Sequence, residues 1–266
     1  MALDQVHPLD GARERLKRAD ENIQNLNRVI TDFLSGAPTV NMGVYRDEPI
    51  ITDENRHAFE ELKAVIREIS VPPRFSVLTG EIIHHLRSAF DHVAWQLSSP
   101  NMQANSPRQI QFPVFDDPPI PCGVKRKQIC SYCRQIEGIS SPTALARIHG
   151  LQPYLATNPQ RHPLWLIHDM DIHDKHRELI LAIFVMHLNI IGNVEISGHG
   201  IQMPWETVPR KIVLTGEPKV NMEIKMAAQI TLREFSGRDD ESIIPTLQNL
   251  LRFTTDSVNS FAEEFA

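Results

Sequence analysis

Between Glu81 and Leu97, the residues Glu81, His84, His85, Arg87, Ser88, Asp91, His92 and Trp95 fall on one arc of a helix plotted at 100° per residue. Ile82, Ile83, Leu86, Ala89, Phe90, Val93, Ala94 and Leu97 fill the other arc. An ordinary surface helix carries Lys, Glu and Gln on its wet side. Imidazoles move protons near neutrality, carboxylates orient them, and a guanidinium grips anionic oxygens through a planar fork. A second cluster, His168-Asp-Met-Asp171-Ile-His173-Asp174-Lys-His176-Arg177-Glu178, brings the two segments to six of the chain's 12 histidines. The segments are expected to meet, because Arg87 and Asp91 on a helix with a full apolar face need partners. Asp174, His176 and Arg177 are the complementary set.

On this reading Arg87, His92, Asp91, His84 and His176 are the candidate catalytic residues, and Asp174, Arg177, His173 and Trp95 the candidate binding residues. Arg87 and His92, five positions apart, diverge by about 140° and do not converge within one chain. A two-fold crossing of two such helices would bring one of each from either subunit together, so a homodimer is expected. The alternative is structural: Arg87 and Asp91 pair at i,i+4, and His92 closes a buried polar network. No metal or cofactor is required. The alternatives are a metal-dependent small-molecule enzyme, with a transition metal ion on Glu81, His84, His173 and His176, since Glu81-x-x-His84 has the spacing by which bundles present two ligands, and a noncatalytic binding or regulatory protein whose polar core specifies the fold. Cys130-Ser-Tyr-Cys133 lacks a second paired spacing and reads as reduced thiols rather than zinc ligands. No phosphate loop, dinucleotide fingerprint or G-x-S-x-G elbow occurs.

Gly80-Glu-x-x-His-x-Leu-Arg-Ser-Ala-Phe-Asp-His-x-Ala-Trp-Gln-Leu97, then Phe112-Pro-Val-Phe, Leu151-Gln-Pro-Tyr154, His162-Pro-Leu and Asp174-Lys-His-Arg177, resembles a widespread bacterial family of uncharacterised proteins. The likeness covers roughly residues 70 to 185, and it implies that His85, often Asn in that family, is dispensable. Arg87-Ser-Ala-Phe-Asp-His92 also resembles the Arg-x4-His motif of the HEPN ribonucleases, where Ser88 fits the usual polar position. That likeness implies metal-independent cleavage of RNA at a dimer interface, with His92 as general acid or base and Arg87 on the phosphate. It implies a toxin or defence effector.

The elements that must position these residues follow from periodicity. Leu16, Ala19, Ile23, Leu26, Ile30 and Phe33 form a coiled-coil-like seam in a helix from about Asp10 to Leu34, within an N-terminal segment 1–36 ended by Gly36 and Pro38. Such a seam demands a partner helix. Residues 40 to 71 fit either a helix or a hairpin. The His-rich helix is expected to start near Ser76 or Thr79, after Pro72-Pro73. Residues 74–190 form a helical core holding both motifs, with a Pro-punctuated covering loop from Pro100 to Pro121 and short helices near 124–137 and 142–150. Residues 193–236 show β-branched alternation with turns at Gly198, Gly216 and Gly237, and 243–262 form a C-terminal helix. The expectation is a single domain, 1–266, of the α+β class: a helical core with a small, mostly antiparallel β-sheet.

With 41% hydrophobic residues the chain can bury a core, and a formal charge of −6 argues against a protein that coats nucleic acid or an anionic membrane. The longest apolar stretch, Leu179 to Ile191, is too short to span a bilayer. Three cysteines and a start without a basic, then apolar, leader read as a cytoplasmic protein.

Overall fold

The computed structural model describes residues 7–35, 71–119, 131–176, 181–190, 194–196, 199–201, 224–232 and 242–266. Its long helices are α1 (Asp10–Ser35), α2 (Pro73–Leu97), α6 (Pro163–His176) and α7 (Ile243–Ser260). Shorter ones are α3 (Pro100–Asn105), α4 (Ser131–Ile136) and α5 (Pro142–Gly150).

The apolar seam of α1 is used inside the chain. Leu16, Ala19, Ile23, Leu26 and Ile30 are buried, and the helix packs on α2 and α7. At its far end Phe33 meets Phe75 of α2 edge-on, with ring centroids 5.5 Å apart. The partner helix that the seam required is therefore α2, so α1 gives no reason for pairing between chains.

Helix α2 begins earlier than Ser76 or Thr79. Pro73 stands at its first position, where a fixed φ suits the helix and the missing N–H costs nothing. The prolines that read as a preceding loop are the start of the helix itself. Ile82, Ile83, Leu86, Ala89, Phe90, Val93 and Ala94 form its buried face, as the arc predicts.

The Pro-rich segment after α3 lies over α2. Phe112 is fully buried, its ring 4.9 Å from Phe90 and 6.2 Å from Phe261. Gln152 donates to the Pro113 carbonyl at 2.9 Å, and the Tyr154 N–H to that of Phe115 at 3.2 Å. Beyond it, Ser141 caps α5 by accepting from the Ala144 N–H at 3.2 Å. Arg147 of α5 holds Glu263 and Glu264, at 2.5 Å and 2.6 Å.

The expected α+β class is corrected: the described residues are mainly helical. Among them the strands β1 (Leu181–Ile190), β2 (Val194–Ile196), β3 (His199–Ile201) and β4 (Ile224–Leu232) make two separate two-stranded antiparallel ladders, β1 with β4 and β2 with β3. Two-stranded ribbons do not supply a layer of their own, and the core is built by α1, α2, α6 and α7, with Ile230 reaching it from β4. The apolar run at Leu181 is a strand rather than part of the helical core. Residues 40–70, the stretch from Lys211 to Thr215, and the start of the helix expected from 124 lie outside the described residues.

Candidate active site

Helices α2 and α6 run antiparallel, and their polar residues meet in descending order. Gly80 faces Asp174, His84 faces Asp171, and the charge of Arg87 is felt by His168. The spacing along both helices is three to four residues, which keeps each set on one face. Gly80 is needed there: a Cβ at that position would collide with the Asp174 carboxylate. Burial and the neighbouring Asp171 charge raise the Asp174 carboxyl above the ordinary carboxylate value, with His84 and Lys175 opposing.

At the centre of this seam is a hydrogen-bonded chain. His84 Nδ1 lies 3.3 Å from Asp171 Oδ1, and His84 Nε2 lies 3.4 Å from Ser88 Oγ. Asp171 is buried, 4% exposed, and its other oxygen accepts from Lys175 Nζ at 2.5 Å. The buried carboxylate selects the Nδ1–H tautomer of His84 and leaves Nε2 as the acceptor that faces the serine hydroxyl. His84 itself stays open, its side chain 56% exposed. A buried orienting acid, an accessible base and a hydroxyl are thus connected in the order that activates a nucleophile.

Arg87 and Asp91 serve a different purpose. Arg87 Nη2 is 3.1 Å from Asp91 Oδ1 and donates to the Phe112 carbonyl at 2.9 Å, while the Phe112 N–H donates to Asp91 Oδ1 at 2.9 Å. Together they satisfy both main-chain polar groups of Phe112, as a strand partner would. Arg87 is buried, and its Nη1 meets no partner among the described residues; the same is true of His168 Nδ1. Burial first, and then the Arg87 charge, push the His168 imidazole down to about 4, with Asp171 and Asp116 opposing and Lys175 adding to the push.

His92 turns to the other side of α2. Its Nε2 is 3.2 Å from the Pro8 carbonyl, and its ring sits against Gly11, where a Cβ would come within 2.7 Å of it. Burial lowers its basicity, against a backbone hydrogen bond that raises it. Arg87 and His92 therefore part as their spacing requires, one toward Phe112 and one toward α1. His85 also faces α1, where burial and the positive charges of His84, Arg18 and Arg15 lower it against Glu81. Glu81 reaches Asn22 of α1 at 3.5 Å, and Trp95 stands 37% exposed. His173 Nδ1 turns back on its own helix, 2.9 Å from the Asp169 carbonyl. The His176 side chain and Arg177 lie outside the described residues.

The two His-rich segments do meet: of the residues expected to complement Arg87 and Asp91, Asp174 lies at the contact but against Gly80, while Arg87 and Asp91 pair with each other and with the main chain of Phe112. Asp171, Ser88 and Lys175 were not named as site residues. The i,i+4 spacings of His84 with Ser88 and of Asp171 with Lys175 were the available signal. Among the described residues no group of three His, Cys, Asp or Glu side chains is placed to hold a metal ion. Cys133 is disulfide-bonded, to a partner outside the described residues, which corrects the expectation of reduced thiols there. No helix among the described residues is long and apolar enough to cross a membrane. Comparison with protein-family models, curated proteins and solved structures finds no match.

Proposed function

We propose that the chain is a hydrolase in which His84, oriented by Asp171, activates the Ser88 hydroxyl toward acyl groups such as simple esters. The observation that supports this is the connectivity Asp171 Oδ1, His84 Nδ1, His84 Nε2, Ser88 Oγ, with both contacts at 3.3–3.4 Å and the correct ring nitrogen at each. Ser88 Oγ attacks the acyl carbon and its proton passes to Nε2. Asp171 stabilises the imidazolium, which then protonates the leaving alcohol; water repeats the sequence to release the acid. The amides around Ser88 are committed to the ladder of α2, so the charge on the acyl oxygen falls to side chains and solvent. A slow esterase with broad tolerance is the expectation.

The test is labelling of pure protein with a fluorophosphonate, read by peptide mass spectrometry, alongside release of nitrophenol from p-nitrophenyl acetate. Adduct on Ser88, absent in Ser88→Ala and slowed in His84→Ala and Asp171→Asn, is the expected result. A protein that takes no label, or takes it elsewhere, overturns the reading. RNA with chelator belongs in the same series, because the resemblance of Arg87-x4-His92 to the HEPN ribonuclease motif implies it as the substrate of an alternative, composite site in a homodimer. RNA cleavage that survives Ser88→Ala but not Arg87→Ala or His92→Ala would put that alternative first.

A further inference from the structure

We propose that Lys175 is a positioning residue of this relay, one that fixes the Asp171 carboxylate and offsets its pull on the His84 proton. The inference rests on the hydrolase reading of His84, Ser88 and Asp171. Asp171 is buried and has two oxygens with separate duties: Oδ2 takes Lys175 Nζ at 2.5 Å, and Oδ1 faces His84 Nδ1 at 3.3 Å. The ammonium contact is the shorter by 0.8 Å, so the lysine sets where the carboxylate sits and the imidazole fits itself to what remains. Lys175 lies one turn from Asp171 on α6, which makes the pairing local to one helix and independent of how α2 moves.

The electrical consequence is specific. A histidine beside a bare buried carboxylate holds its proton tightly and makes a poor base at neutral pH. With Lys175 in place, His84 faces an ion pair whose net charge is zero. The other charged groups along the seam are Asp174 and His168 on α6, and Glu81, His85 and Arg87 on α2; Asp116 comes from the covering segment. Among these acids Asp174 is the one whose charge couples to His84, and burial first, then Asp171, biases its carboxyl toward the neutral form.

The experiment reads His84 without relying on turnover. Diethyl pyrocarbonate modifies a histidine only in its neutral form, and the rate at His84, resolved from other sites by peptide mass spectrometry across pH, gives the pH of half-reactivity in wild type, Lys175→Gln, Lys175→Met and Lys175→Arg. Loss of the charge should move that pH up by about one unit in the Gln and Met variants, and Arg should restore it. Lys175→Gln keeps a donor for Oδ2 and so guards against a variant that fails to fold. The acid limb of ester hydrolysis should move in parallel. An unchanged half-reactivity pH in folded Lys175→Gln overturns the proposal, whatever Ser88 does. Absence of fluorophosphonate adduct on wild-type Ser88 instead overturns the hydrolase reading, and the two failures are told apart by which readout moved.

Discussion

The carboxylate of Asp174 lies directly against the backbone of Gly80, two turns inside α2. In an exposed helix, Gly to Ala stabilises by about 1 kcal/mol. Here Gly80→Ala should destabilise by roughly 1–3 kcal/mol, because the added methyl must displace the carboxylate or part the helices. Urea denaturation checks the sign, and in the Asp174→Ala background the same substitution should become neutral or stabilising.

For the relay, Asp171→Asn should lower kcat/KM for an acetyl ester by about 10²–10⁴-fold with little change in KM, since the amide favours the wrong tautomer of His84. A loss seen only in KM would argue that Asp171 shapes binding rather than the base.

Asp91→Ala should cost about 3 kcal/mol, because it strands a buried guanidinium and the Phe112 N–H together. Arg87→Met, which removes the charge and keeps the stem, should cost less. Equal penalties in chemical denaturation would mean that the charge is not the issue.

The pH dependence follows from His168, held near 4 against an ordinary 6.5. Below 6.5 the unfolded chain takes a proton that the native state refuses, so stability is complete above about pH 6.5 and falls as pH drops toward 4. The loss reaches on the order of 3 kcal/mol. Asp174, raised in the native state, works with the opposite sign: it adds stability at acid pH that is lost as pH rises through its native value. In His168→Leu, urea midpoints measured from pH 4 to 7 should vary distinctly less than in wild type.

Much of the helical body was legible in the sequence because helices announce their buried faces locally. The seam of α1, the two arcs of α2 and the covering role of the Pro-rich segment all follow from spacing. The start of α2 is ambiguous in the sequence because Pro72-Pro73 reads equally as loop and as helix entry. The strands are harder to weigh: β-branched alternation marks the extended stretches 194–196, 199–201 and 224–232, but whether ribbons become a layer depends on what already fills the core. The site was half legible. His84 and the meeting of the two helices were readable, whereas the choice of Asp171 over Asp174 depends on an interhelical register that Gly80 sets by its lack of a side chain. Arg87, the most suggestive residue for chemistry, is occupied by a main chain 25 residues away, which no local pattern reveals.

Phe112 belongs to no helix or strand, yet both its main-chain polar groups are held by side chains of α2. Its amide hydrogen should therefore exchange with solvent as slowly as one inside a helix, and only when the covering segment lifts. That single amide is a built-in gauge of the Arg87–Asp91 pair, readable in the unmodified protein.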